Sequence, residues 1–224
     1  PYPSLAPSSL AVGPSDSVYA CDSGHHRICK FSADGSPLGV FGGFGSKPGE
    51  LMNPIGIAVD RRGNVYVAEH DNHRVSKFRG DGRFLRHWGS LGKTGGQMEG
   101  PAHLAVDQSS RVYVADAGNG RVAKFTSEGE FLGSIGAAGD APGCFLEPTG
   151  VAVDDRSGVV YVSDQRSGRI EKFALEGRFL GEWRMPGAEV FPPASVMGLA
   201  LTPEARHLLV VNPREHNVHL LALP

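Results

Sequence analysis

The sequence is short of the features that define many other protein classes. Its 224 residues hold three cysteines and no Cys-x-x-Cys pair, so neither a disulfide framework nor a zinc site of that type is expected. No run approaches the ~18 apolar residues of a membrane span, and no charged-then-apolar leader opens the chain. The formal net charge of −2 excludes a domain that is cationic as a whole. We therefore expect reduced thiols, a cytoplasmic location and no membrane contact.

Glycine and proline are abundant, and their placement bears on domain organisation. The 31 Gly and 16 Pro residues stand at turns along the whole chain and are not gathered in one linker. We therefore expect residues 1–224 to form one domain. Because the first residue is Pro and not Met, we also expect this domain to be a fragment of a longer chain.

One phrase recurs along the chain with a fixed period. The phrase consists of a Val-Tyr-x-x-Asp/Glu run, a short polar turn and an Arg-x-x-Lys-Phe run. It appears four times, with tyrosines at positions 19, 66, 113 and 161. The tyrosines are therefore 47, 47 and 48 residues apart. A fixed period of this length indicates a repeat architecture.

Each period contains four short strand patterns. An apolar run that follows a Pro comes first, then the Val-Tyr run, the Arg-x-x-Lys-Phe run, and after an Asp-Gly or Glu-Gly turn a Phe-Leu run. Four antiparallel strands in ~45 residues predict a propeller blade, with a solenoid as the alternative. We expect an all-β propeller of five blades, with six as the alternative. The blades should start near residues 7, 54, 101, 148 and 196.

The phrases Pro-x-Gly-Ile-Ala-Val-Asp, Gly-x-Val-Tyr-Val-Ala-Asp and Asn-x-Arg-Val-x-x-Phe resemble the NHL repeat. The resemblance covers nearly the whole chain and implies a propeller like the C-terminal domains of tripartite-motif E3 ubiquitin ligases. In those ligases the propeller selects partners, either proteins or single-stranded RNA. The resemblance thus implies a recognition domain of a RING-type ligase whose upstream coiled coil could make the parent chain a dimer.

The residues shared by the first four blades are expected to be structural, because a functional site needs asymmetry. A carboxylate faces an arginine across each turn between the second and third strands, where a charge-assisted pair would pin the hairpin. These predicted pairs are Asp22 with Arg27, Glu69 with Arg74, Asp116 with Arg121, and Asp164 with Arg169. The recurring Lys77, Lys124 and Lys172 are expected on solvated strand faces.

Binding residues should differ between blades. The second blade is locally basic, with eight cations against five anions between Ile57 and His103, and it also carries Trp88, which we expect to pack and not to stack on bases. A basic face favours RNA, whereas the low net charge favours a protein partner. The candidate binding residues, placed on one face of blades two and three, are Arg62, His70, Asp71, His73, Lys93 and His103.

An enzyme is the alternative function. The repeat also resembles peptidyl-hydroxyglycine lyases, in which a zinc-binding His directly follows the first-strand Pro, and gluconolactonase-like propellers. In this chain the residues that directly follow the first-strand prolines are Ile55, Ala102 and Thr149. His103 comes one residue further along, so its side chain should point to the opposite side of the strand. We therefore predict no catalytic residue, no metal and no cofactor.

Overall fold

The chain folds into five consecutive antiparallel sheets. The computed structural model describes residues 5–184, 198–202, 204–212 and 216–223. Four sheets have four strands each in sequence order, and the fifth has three described strands. The strands are β1 (Pro7–Val12), β2 (Val18–Asp22), β3 (Arg27–Phe31), β4 (Pro37–Gly42), β5 (Pro54–Val59), β6 (Asn64–Glu69), β7 (Arg74–Arg79), β8 (Phe84–Trp88), β9 (Pro101–Val106), β10 (Val112–Asp116), β11 (Arg121–Phe125), β12 (Phe131–Ile135), β13 (Pro148–Asp154), β14 (Val159–Asp164), β15 (Arg169–Ala174), β16 (Phe179–Arg184), β17 (Leu199–Leu201), β18 (His207–Asn212) and β19 (Asn217–Ala222).

The five sheets are the blades of a propeller, which confirms the predicted fold class. The first four blades begin at Pro7, Pro54, Pro101 and Pro148, the positions that the sequence predicts. The predicted fifth start near Val196 lies outside the described residues, and the first described strand of that blade is β17. The first strands of consecutive blades pack against each other, so they lie innermost, around the axis.

The core is divided among the junctions between blades. Apolar clusters join blades 1 and 2, 2 and 3, 3 and 4, and 4 and 5. In each of the first three, the Val-Tyr strands of two neighbouring blades contribute fully buried valines and a buried tyrosine. A buried aliphatic side chain contributes about 1.5–3 kcal/mol, so these junctions carry most of the stability of the fold.

Within the described residues, the core does not continue from blade 5 to blade 1. Leu10 on β1 is 65 % exposed, whereas Ile57, its counterpart on β5, is 5 % exposed because blade 1 covers it. Among the described residues, five blades thus share four apolar junctions, and the side of blade 1 that bears Leu10 is exposed.

The cysteines cannot pair in the first hairpin. Cys21 lies opposite Ile28, and Cys29 lies opposite Ala20, so the two side chains project from opposite faces of the sheet. Both are buried free thiols, and burial raises the pKa of each. These cysteines are therefore unreactive core residues.

Candidate functional site

The meander places two kinds of loop on opposite faces of the propeller. The upper face consists of the turns between second and third strands, residues 23–26, 70–73, 117–120 and 165–168, together with the links between blades, residues 43–53, 89–100 and 136–147. The lower face consists of the turns from first to second strand and from third to fourth strand. Because the links are the longest loops, the upper face has the most room for variation between blades.

The six candidate binding residues do not share one face, which corrects the grouping expected from the sequence. His70, Asp71, His73 and Lys93 lie on the upper face, whereas Arg62 lies in the turn between β5 and β6 on the lower face. The physical reason is that successive turns of an antiparallel meander alternate between the two ends of the sheet. His103 lies within β9, on the innermost layer, and its Nδ1 atom is 3.5 Å from Ser9 Oγ of blade 1. Burial lowers the pKa of His103, so its imidazole is neutral at pH 7.

His73 belongs to the scaffold of its turn. His26 and His73 both have positive φ, at 55° and 52°, and Gly120 and Gly168 take the same position in blades 3 and 4. The Nδ1 atom of His73 accepts a hydrogen bond of 3.0 Å from the Gly100 N–H, and that of His26 accepts one from the next link in the same way. Each imidazole therefore fastens a turn to a link.

His70 and Asp71 form an exposed pair on the upper face. The His70 Nδ1 to Asp71 Oδ1 distance is 2.7 Å, and the Asn53 side chain donates a longer bond of 3.3 Å to the same oxygen. The hydrogen bond from His70 holds the pKa of Asp71 below its usual value. The pair is not repeated in blade 3, where the corresponding residues are Ala117 and Gly118.

Three of the four carboxylate–arginine pairs have side chains in contact. The Nε to carboxylate distance is 2.8 Å for Arg27 with Asp22, 2.7 Å for Arg74 with Glu69, and 2.9 Å for Arg121 with Asp116. The carboxylates are completely buried. In blade 2 the guanidinium of Arg74 also donates to the carbonyl oxygens of Ser46 and Glu50, and in blade 3 that of Arg121 donates to those of Gly95 and Gln97. These two pairs therefore tie a link to a turn.

Blade 4 departs from the predicted pairing of Asp164 with Arg169. The Arg169 Nε atom lies 3.4 Å from Glu171, and its other nitrogens lie 3.2 Å from Asp140 and 3.8 Å from Glu182. Asp164 instead accepts backbone N–H bonds from Leu146, Glu147, Arg166 and Ser167. The cause is Glu171, a buried acid at a position that holds Cys29, Ser76 or Ala123 in the other blades. Burial raises the pKa of Glu171 to about 7.

The recurring lysines are not on solvated faces, which corrects a second expectation. Lys77 is 6 % exposed, lies over the Tyr66 ring and donates a 2.9 Å bond to the Ser127 carbonyl of the next blade. Lys30 reaches Gly80 and Lys124 reaches Leu175 in the same way. Lys30, Lys77 and Lys124 therefore clamp consecutive blades together, because the strand face that carries them packs against a neighbour. Lys172 is half-buried and lies over the Trp183 ring of its own blade.

The cations of blade 2 do not form one basic surface. Arg74 and Lys77 are buried in the contacts just described, and Arg86 is paired with Glu128 at 2.8 Å. Four arginines lie at the lower end of the blade, and Lys93 lies on the upper face. Trp88 is buried against Tyr66 and Phe125, as expected, so it offers no ring for stacking on a base. The lower-end arginines are Arg61, Arg62, Arg79 and Arg83.

The upper face exposes two large apolar side chains at matching positions. In each link a parallel bridge joins an early residue to a late one, as in Phe44 with Leu51 and Leu91 with Met98. The late residue is fully buried, whereas Phe44 is 69 % exposed and Leu91 is 59 % exposed. The third link has Ala138 at this position. Phe44 and Leu91 are not among the residues predicted from the sequence, although their position varies between blades while the next residue is always Gly.

Neither a metal-binding cluster nor a membrane-spanning helix is found among the described residues. Their His, Cys, Asp and Glu side chains form no group of three or more that could hold a metal ion. Among these same residues, no helix is both long enough and apolar enough to cross a membrane.

Comparison with known protein families agrees with this geometry. Residues 6–31 and 51–78 match the NHL repeat. The chain is a β-propeller of the NHL type. Residues 101–198 of this NHL propeller match a family described as a 6-bladed β-propeller. No curated protein matches the chain.

Solved structures similar to this NHL propeller show the fold alone, since each is less than 25 % identical to it. A chain of a nidogen/laminin complex has a TM-score of 0.71 at 18 % identity, with 96 % of this chain and 74 % of that chain covered. A streptogramin B lyase has a TM-score of 0.68 at 15 % identity, with coverage of 96 % and 68 %. Virginiamycin B lyase from Staphylococcus aureus has a TM-score of 0.68 at 13 % identity, with coverage of 96 % and 69 %.

Proposed function

We propose that this propeller is a non-catalytic recognition domain that binds a protein partner on its upper face. The observation that carries the proposal is the exposure of Phe44 and Leu91 at equivalent positions of consecutive links. Exposed aromatic and aliphatic side chains with polar neighbours are typical of the centre of a protein interface. The loops of the same face carry the His70–Asp71 pair, His25 and Lys93, so the surface combines apolar anchors with polar groups.

A protein partner fits this face better than single-stranded RNA. RNA binding needs a positive surface that follows the backbone, together with rings on which bases stack. On the upper face the exposed cations Lys47, Lys93 and Arg166 lie in three separate loops, and the four arginines of blade 2 lie at the opposite end, so the described loops form no continuous positive surface there. Among the described residues of this face, Phe44 offers an exposed phenyl ring, whose centroid lies 5.0 Å from that of the His26 ring.

The proposal extends to the parent chain through the resemblance of the repeats to those of tripartite-motif ubiquitin ligases. In that setting the protein bound at the upper face is the substrate that the ligase modifies, in the cytoplasm, and the parent chain is a dimer. The buried free thiols Cys21 and Cys29 are compatible with a reducing compartment. Ubiquitin transfer to the captured partner by the full-length protein, with and without the upper-face substitutions below, tests this extension.

The central experiment compares two double variants. Phe44→Ser with Leu91→Ser removes the apolar anchors, and Leu132→Ser with Leu180→Ser removes two exposed leucines from fourth strands, away from the upper face. Proteins captured from cell extract by the native propeller are quantified against both variants. Anchors at an interface centre contribute about 2 kcal/mol or more each, so the first variant should lose more than tenfold in affinity and the second should bind normally. Equal binding by both variants would refute the proposal.

A separate measurement decides between protein and RNA. A fluorescent oligouridylate is titrated at two salt concentrations against the native chain and against Arg62→Glu and Lys93→Glu. We expect binding weaker than ~10⁻⁴ M, the weak end of nonspecific nucleic-acid affinity, in all three. Tight, salt-dependent binding that Lys93→Glu abolishes would show that the upper face recognises RNA.

A further inference from the structure

The upper-face turns of blades 1 and 2 hold a histidine where those of blades 3 and 4 hold a glycine. The backbone at His26 and His73 has positive φ, at 55° and 52°, and Gly120 and Gly168 have φ of 60° and 68° at the equivalent positions. Glycine adopts this conformation freely, whereas a residue with a Cβ atom is strained there. A strained residue indicates a role for its side chain that glycine cannot supply.

That role is to accept a hydrogen bond from the end of a link. The Asn53 N–H donates to His26 Nδ1 and the Gly100 N–H donates to His73 Nδ1, each at 3.0 Å. Asn53 and Gly100 are the last residues of the first and second links, directly before a first-strand proline, and both have positive φ, at 48° and 57°. The unusual conformation of each link end therefore occurs together with a bond to an imidazole.

The third link ends differently. Its last residue is Glu147, which does not have positive φ, and the turn that corresponds to those of His26 and His73 has Gly120. The Glu147 N–H donates to the Asp164 carboxylate at 3.2 Å. A carboxylate therefore takes the place of the imidazole where the turn has glycine.

The bonds to the two imidazoles exist only while these rings are neutral. The donor is a backbone N–H in both cases, so Nδ1 must carry a lone pair, and the hydrogen of the neutral ring is on Nε2. Protonation puts an N–H on Nδ1, facing the backbone N–H. The hydrogen bond and the protonated ring thus exclude each other.

The charged groups near His26 are bonded elsewhere. Its own hairpin and the link that it holds carry Asp22, His25, Arg27, Lys47 and Glu50. The Asp22 carboxylate is completely buried and accepts from His25, Arg27 and the Ala6 N–H. The Glu50 carboxylate accepts from the Lys47 N–H.

The same holds at His73. Its hairpin and its link carry Glu69, His70, Asp71, Arg74, Lys93 and Glu99. Glu69 is paired with Arg74, and Asp71 with His70. Among the described residues, neither His73 nor His26 forms an ion pair with a carboxylate, so protonation supplies no bond in exchange for the one that it breaks.

His26 contacts both ends of the first link. Its ring centroid lies 5.0 Å from that of Phe44 near the start of the link, while its Nδ1 atom holds Asn53 at the end. The Gly43 N–H also donates to the His26 carbonyl at 2.9 Å. A change at His26 therefore reaches the exposed Phe44 side chain.

We propose that His26 and His73 form a proton-sensitive switch, in which protonation of the two imidazoles releases the ends of the first and second links and disturbs the arrangement in which Phe44 binds a partner. The first step concerns this chain alone, and the second rests on the recognition proposed for the upper face. Protonation of histidines between pH 7.5 and pH 5.5 is a common basis of pH-sensitive interfaces.

Hydrogen exchange of the 224-residue chain, followed for single amides by NMR, tests the first step. We expect the protection factors of the Asn53 and Gly100 amides to be at least tenfold lower at pH 5.5 than at pH 7.5. The Glu147 amide is the internal control, because it occupies the equivalent position but donates to Asp164, and its protection should not change. Unchanged protection at Asn53 and Gly100, or an equal loss at Glu147, would overturn the proposal.

Two double variants show whether these histidines are responsible. Asparagine tolerates positive φ, and its side-chain oxygen can accept a hydrogen bond without titrating, so His26→Asn with His73→Asn should keep the protection at both pH values. His26→Gly with His73→Gly has no acceptor and should show low protection at both. His87→Asn, on β8 and away from these loops, should keep the native pH dependence. If either double variant also kept it, another group would be responsible and the proposal would be wrong.

The second step is tested with proteins captured from cell extract at pH 7.5. Washing at pH 5.5 should release at least tenfold more of them from the native propeller than from the variant with asparagine at both positions. Equal release from the two would show that binding does not respond to these histidines. If Phe44→Ser with Leu91→Ser captures the same proteins, the recognition proposed above fails, whereas the exchange measurement still decides whether the switch exists.

Discussion

Replacement of Arg74 by methionine should test whether the carboxylate–arginine pairs hold the propeller together. The guanidinium donates to Glu69 at 2.7 Å, to Ser46 at 2.7 Å and to Glu50 at 2.9 Å, and Glu69 is completely buried. Methionine keeps much of the volume but leaves the Glu69 carboxylate without its countercharge. Removal of one partner of a buried ion pair costs about 3–5 kcal/mol.

Chemical and thermal denaturation measure this loss. For a chain of this size each kcal/mol lowers the melting temperature by roughly 2–4 °C, so Arg74→Met should melt roughly 6–20 °C below the native protein. Arg178→Met is the control, because Arg178 and Glu176 are both exposed and 3.7 Å apart, and exposed pairs contribute about 0–1 kcal/mol. Adding Glu69→Gln to Arg74→Met should restore part of the stability by removing the buried charge. Equal losses in Arg74→Met and Arg178→Met would refute the reasoning.

Three further predictions concern the same scaffold. Lys77→Met should lower the free energy of unfolding by about 1.5–3 kcal/mol, because hydrogen bonds to the next blade are lost, whereas Lys93→Met should have little effect; urea titration of both checks this. Burial raises the pKa of the Glu171 carboxyl to about 7. The stability that depends on neutral Glu171 is therefore fully present below the unfolded pKa near 4.3, and it is lost as the pH rises to about 7. Glu171→Gln should therefore gain up to about 3 kcal/mol over native at pH 8 and nothing near pH 4; a pH-independent difference in urea titrations would exclude this cause. Truncation after residue 195 uncovers the blade 4 side chains of the junction with blade 5 and should abolish the sharp thermal transition, whereas an unchanged calorimetric peak would show that blade 5 is dispensable.

Much of the fold can be predicted from the sequence, because each strand and turn of the repeat is specified by residues that are close together in the chain. The first-strand prolines, the Val-Tyr strands and the Asp-Gly turns each depend on neighbours within one hairpin. The boundaries at Pro54 and Pro101 are therefore predicted to the residue.

The errors concern contacts between blades and between distant turns. An alternating strand such as Arg74–Arg79 shows that one face is polar, but it does not show that Lys77 meets Ser127 of the next blade. Glu171, which draws Arg169 away from Asp164, is visible in the sequence, but the further contacts of Arg169 with Asp140 and Glu182 are not, because those residues reach it from a link and from another strand. The separation of Arg62 from His70 could have been predicted, since strand β6 lies between their turns. The exposure of Phe44 could not, because it depends on how the link folds back on Leu51.

Hydrogen exchange of the propeller with and without its captured protein partner tests the central claim most directly. Recognition by the upper face predicts slower exchange in residues 43–53, 70–73 and 89–100, with the loss of that effect in the Phe44→Ser, Leu91→Ser variant. Slower exchange confined to the lower turns, residues 60–63 and 80–83, would contradict the account.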